Sequence, residues 1–102
     1  MTQSVWKFPL IVKAKTTLQM PVGSQILCVQ AQADTLPCLW ALVYPEEKME
    51  DRVFELFGTG HHIPDDIDKG FTPPTLPLTT RIYIGTFQLQ NGAFVGHLFE
   101  RK

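Results

Sequence analysis

The sequence predicts an all-β fold: about seven mostly antiparallel strands in a small sandwich or partly open barrel, with one long loop. Three observations carry that expectation. Apolar residues alternate with others at Trp6, Phe8, Leu10 and Val12, and β-rich runs recur at 25–32, 38–44, 52–57, 81–89 and 93–100. No apolar stripe of 3.6-residue period persists over 12 residues. Turn residues separate the runs at the spacing expected of a sandwich.

The first strand is expected over 5–12. Pro9 cannot donate to a ladder, which makes this an edge strand. A short strand at 17–20 leads into the turn Pro21-Val22-Gly23-Ser24. Strands 25–32 and 38–44 flank Ala33-Asp34-Thr35-Leu36-Pro37, and residues 45–51 link the second of them to 52–57, so much of the chain reads as a meander of neighbours. Pro45-Glu46-Glu47-Lys48 has room for one helical turn at most. Gln90-Asn91-Gly92 lies between two alternating runs. Asn-Gly accepts the positive φ that a type I′ turn needs, so 81–89 and 93–100 form a hairpin.

At 102 residues the chain is expected to be one domain, 1–102, since two would each be too small. An apolar fraction of 44% with 19% charge belongs to a folding chain rather than a disordered one. So short a chain buries only about 60 to 70% of its unfolded surface, which makes a homo-oligomer the expected state. Nine Lys and Arg are scattered against ten acids, a balance that excludes an extended nucleic-acid footprint but not one small anion. No export signal or membrane-length apolar run is visible, so the expected setting is the cytoplasm of a bacterial host cell, away from the membrane. Cys28 and Cys38 lie in apolar runs and are expected as reduced core thiols.

Residues 58–80 break this economy: 23 residues with four prolines, three glycines and three aspartates. Loops of that length in small domains tend to be functional, so the candidate site is placed here. Gly58-Thr59-Gly60-His61-His62 follows a strand, and its glycines could aim successive N–H groups into an anion nest, or could simply permit a sharp exit from the strand. Phe71 is the loop's ring for stacking on a base. Arg81 and Tyr83 project from one strand face where the loop ends, and Arg52, on the strand leading to Gly58, is expected within reach of phosphate. His61, His62, Asp65, Asp66 and Asp68 match no metal-site spacing. Pro64-Asp65-Asp66 reads instead as a capped turn, so no metal or other cofactor is expected. His97 shares a face with Val95 and Phe99 and reads as a core or pocket-wall histidine. No Gly-x-Ser-x-Gly elbow or paired His-x-Thr/Ser motif is present, and no enzyme activity is expected.

The phrases Trp6-Lys7-Phe8-Pro9-Leu10, Gln25-Ile26-Leu27-Cys28-Val29-Gln30, Leu39-Trp40-Ala41-Leu42-Val43, Phe57-Gly58-Thr59-Gly60-His61 and Tyr83-Ile84-Gly85-Thr86-Phe87 together resemble a family of small uncharacterised phage and prophage proteins. The resemblance spans nearly the whole chain and implies a viral or prophage origin, without catalytic residues to carry over. The proline-rich stretch 71–80 is longer than the connection usual in that family. For a phage accessory protein of this build, the expected function is anti-defence by sequestration. It would bind a nucleotide-derived host immune signal without cleaving it, through Gly58 to Gly60, Arg81 or Arg52, and Phe71 with a tyrosine. The alternative is a protein-interaction module that inhibits a host protein or decorates a phage assembly by strand addition.

Overall fold

A computed structural model describes residues 2–33, 35–63 and 81–101. Alternation sets the architecture: seven strands, β1 (Ser4–Pro9), β2 (Lys15–Pro21), β3 (Gln25–Gln32), β4 (Leu36–Val43), β5 (Met49–Gly58), β6 (Arg81–Leu89) and β7 (Phe94–Arg101). They form two antiparallel sheets, ordered β1-β4-β3 and β2-β5-β7-β6. Among the described residues there is no helix, and hence none long and apolar enough to cross a membrane.

The hairpins expected at β3–β4 and β6–β7 form, and β1 is an edge strand that stops at Pro9. The expected strand extension to Val12 does not form. Leu10 leaves the ladder by donating its N–H to Pro37 O, and Ile11 to Lys13 turn toward the second sheet. The meander is also corrected: β1–β2, β2–β3 and β4–β5 are connections between the sheets, and β7 lies between β5 and β6. Each sheet must cover an apolar face, and switching sheets lets successive strands feed one core from both sides.

That core joins Val29, Leu39, Ala41 and Val43 of the smaller sheet to Met20, Phe54, Phe87, Leu89 and Leu98 of the larger, with Trp6 and Phe8 packed on its margin. Bulges tune the faces. An extra residue at Leu27 shifts the β3–β4 register and brings Ile26 and Val29 to the core side together, while Leu27 itself is left exposed. A register shift between Tyr83 and Gly85 does the same in β6 around Ile84. There the sheets meet: a Cβ at Gly85 would lie 2.9 Å from Val29 Cγ1, so glycine is what admits the valine. Both cysteines are free thiols, Cys38 buried and Cys28 half-buried.

Candidate functional site

The larger sheet is covered by core on one face only. In β7, Phe94, Gly96, Leu98 and Glu100 take the core side, so the period of two leaves Val95, His97, Phe99 and Arg101 on the other. Register places Phe57 opposite His97, Glu55 opposite Phe99, and Tyr83 and Arg81 opposite Phe99 and Arg101. The outer face of β5, β7 and β6 therefore gathers three rings, two guanidiniums, a carboxylate and an imidazole. His97 is not a core residue but part of this outer face.

The aromatic part runs from Phe57 to Phe99 (centroids 5.9 Å) and on to Tyr83 (5.5 Å), both pairs edge-to-face. Tyr83 is the outermost ring, 57% exposed. Beside the rings, Glu55 Oε1 accepts from Arg81 Nε at 2.8 Å and from Arg101 Nη1 at 3.1 Å. Burial pushes the Glu55 carboxyl up, but the hydrogen bonds and charges of Arg81 and Arg101 outweigh it and hold it below the usual carboxylate range. The Arg81 side chain is 8% exposed, with its guanidinium carbon 5.5 Å from the Phe57 ring centroid, whereas Arg101 is 35% exposed. Arg81 thus holds Glu55 beside the rings, and Arg101 is the more exposed of the two guanidiniums. Arg101 also borders a cleft of about 540 Å³ with Lys15, Glu50, Asp51, Arg52, Val53 and Glu100. Its lining balances three cations against three carboxylates.

A second, polar row crosses the same face. Thr59 Oγ1 lies 2.7 Å from His97 Nε2, His97 Nδ1 lies 2.9 Å from Thr86 Oγ1, and Thr86 Oγ1 lies 2.5 Å from Tyr83 Oη.

The expected site residues fall into separate groups. Thr59, Arg81 and Tyr83 come together on this face. Arg52 does not: it lies on the core side of β5, where Nε and Nη2 clasp Glu100 at 2.6 and 2.8 Å and Nη1 donates to Ser24 O at 2.5 Å. Two N–H groups of the expected nest at Gly58 to Gly60, those of Gly58 and Thr59, are spent internally. Gly58 N donates to His61 Nδ1, Thr59 N to Val95 O and His61 N to Gly58 O, closing a turn in which Gly60 takes φ +84°. The His61 ring lies against Gly58 in this turn and borders a second cleft, about 270 Å³, with Val12, Leu56 and Phe94; His62 is exposed. Phe71 and the Pro64-Asp65-Asp66 turn lie outside the described residues. Among the described residues no three His, Cys, Asp or Glu side chains cluster as a metal site.

Phe57, Glu55, Phe99, Thr86 and Arg101 escaped the sequence reading as site residues, and for His97 it left core and pocket wall both open. Parity could have found them: once Phe54 and Leu98 are assigned to the core, Phe57 and Phe99 must point the other way.

The family is settled by a match along the whole chain. The protein belongs to DUF7352, a domain of unknown function, whose family model matches residues 1–102. No curated protein and no solved structure matches it.

Proposed function

We propose that this protein is a stoichiometric binder that captures a small anionic ligand of the nucleotide class on the outer face of its larger sheet and holds it uncleaved. The observation that carries the reading is the exposed Tyr83 ring, backed by Phe99 and Phe57 and bordered by Arg101. A base stacks on such a ring at roughly 1–3 kcal/mol, and a guanidinium meets phosphate oxygens through paired N–H groups. The phosphate partner is thereby moved from Gly58 to Gly60 and Arg52 to Arg101, with Arg81 as its support. Combined with the resemblance to phage and prophage proteins, the ligand class is a nucleotide-derived host immune signal, and the activity is anti-defence sequestration.

The test is incubation with a panel of cyclic nucleotides and ADP-ribose derivatives, with chromatography of free ligand before and after heat denaturation. Depletion followed by intact recovery is expected. Altered recovery points to an enzyme, and no depletion removes the reading. Tyr83→Ala and Arg101→Ala are each expected to weaken capture about tenfold or more, while leaving the far-ultraviolet circular dichroism of the folded protein unchanged.

One observation favours the alternative of a protein partner. Between Thr16 and Met20, β2 carries no charge or proline, and among the described residues it pairs with β5 alone. Of the other three edge strands, β1 is guarded by Lys7 and Pro9, and β3 and β6 lie against each other where the sheets meet. Strand addition at β2 would survive Tyr83→Ala and be lost in Thr17→Pro.

A further inference from the structure

The polar row Thr59–His97–Thr86–Tyr83 has a proton count that restricts what it can present. Each of its three contacts needs one hydrogen between the heavy atoms. With His97 neutral, two arrangements satisfy all three with the bonds running head to tail, and a third, in which Thr86 accepts from both Nδ1 and Tyr83, loses that direction. If Nδ1 carries the proton, it donates to Thr86, Thr86 donates to Tyr83, and the Tyr83 O–H turns outward, while Thr59 donates to Nε2. If Nε2 carries it, every donor reverses: Tyr83 donates inward and shows only lone pairs, and Thr59 turns its O–H outward. A neutral row that runs head to tail therefore has one donating and one accepting end.

A charged His97 admits only one arrangement in which the bonds run in a single direction from the ring to Tyr83. Both ring nitrogens donate, so Thr59 and Thr86 must accept and the Thr59 O–H points out; the polarised Thr86 hydroxyl is favoured to hand its own proton to Tyr83 over accepting a second one, which turns the Tyr83 O–H outward as well. Thr59, Thr86 and Tyr83 are exposed and His97 is half-buried, so the row can meet a ligand. The hydrogen-bond partners of the imidazole are two uncharged hydroxyls. The charged or titratable groups that share its face on the elements packed against it are Asp51 and Glu55 on β5, Arg101 on β7, and Arg81 and Tyr83 on β6, with His61 and His62 following β5 and Glu50, Arg52 and Glu100 on the opposite face.

We infer that His97 is a specificity-determining residue acting through Thr86: its protonation turns Tyr83 and Thr59 into outward donors and makes the face selective for groups that only accept hydrogen bonds, phosphate oxygens above all. The inference rests on the nucleotide reading for its ligand, but the row itself can be tested without one.

The probe is cyclic AMP, whose phosphodiester keeps one charge across the range used. Wild type is expected to bind it about tenfold tighter at about pH 5.5 than at about pH 8, because a charge-assisted donor is gained. His97→Gln abolishes that ratio. Thr86→Val reduces it while His97 still titrates, a result that a merely structural Thr86 would not give. In parallel, NMR follows the His97 imidazole nitrogens, identified by their loss in His97→Gln, and the Tyr83 Cζ shift. Tyr83 is expected to track the His97 titration in wild type and not in Thr86→Val. If Tyr83 fails to track His97, the inference is overturned whatever binds. If Tyr83 tracks His97 but cyclic AMP does not bind at either pH, the row stands as a coupled device, and the nucleotide reading and the claimed selectivity fall together.

Discussion

Arg52 and Glu55 stand three residues apart on β5, on opposite faces, and carry opposite kinds of charge chemistry. Arg52 spends its guanidinium on Glu100 and on Ser24 O, tying β5 and β7 to the β2–β3 turn; Glu100 and its charge raise its pKa against the opposing pull of burial. Glu100 is 8% exposed, so removing its partner strands a carboxylate in a poorly hydrated place. Arg52→Ala is expected to cost about 3 kcal/mol in urea unfolding, and the apolar pair Arg52→Met with Glu100→Leu to regain most of it. Glu55 is held below the ordinary glutamate value, so the stability it contributes is complete above that value, about 4.3, and is lost as the pH falls through the lower folded one. The stability difference between wild type and Glu55→Gln should accordingly shrink as the pH is lowered from about 5 to about 3. A difference that stays constant across that range would mean that Arg81 and Arg101 do not stabilise the carboxylate.

At the scale of elements, the β6–β7 hairpin shows both the reach and the limit of reading turns from sequence. Asn91-Gly92 does mark the turn, but the loop between the paired Leu89 and Phe94 holds four residues. Gln90, Asn91 and Gly92 all have positive φ (53°, 54° and 88°), and two successive turns are closed by Gly92 N to Leu89 O and Ala93 N to Gln90 O. Gln90 thus takes a left-handed conformation that an L side chain resists. Gln90→Gly is expected to raise stability by about 1 kcal/mol, read as a higher thermal midpoint, and Gln90→Val to lower it. Strands were legible because the period of two is written in side chains. The turn at Pro21-Val22-Gly23-Ser24 was legible too, with Gly23 at φ 83° and Ser24 N bonded to Pro21 O. The bulges at Leu27 and Ile84 were not, because an inserted residue looks like any other apolar residue in a β run. The candidate site was half legible for a related reason. Tyr83 and Arg81 stand out beside the long loop, whereas Phe57 and Phe99 are apolar residues among apolar residues until the core parity is known.

The partition into two sheets belongs to the whole molecule, and no local pattern in the chain specifies it. Strand β5 could pair with β4 as its neighbour in sequence, yet it joins β2 and β7, because burying Phe54 and Leu98 against Leu39 and Val43 requires the sheets to face each other. Neither sheet has a core of its own: the buried cluster draws on both, and the Val29–Gly85 contact closes one side of their junction. That interdependence predicts a single cooperative transition. The chain's two tryptophans, Trp6 on β1 and Trp40 on β4, both belong to the smaller sheet, so their fluorescence reports on it alone, while far-ultraviolet circular dichroism reports on all seven strands. Followed through urea unfolding, the two signals are expected to give the same midpoint and the same slope. An earlier tryptophan transition would show the larger sheet surviving without its cover. The proposed ligand face, built on that larger sheet, would then be a module separable from the rest of the fold rather than a surface whose shape depends on the buried core behind it.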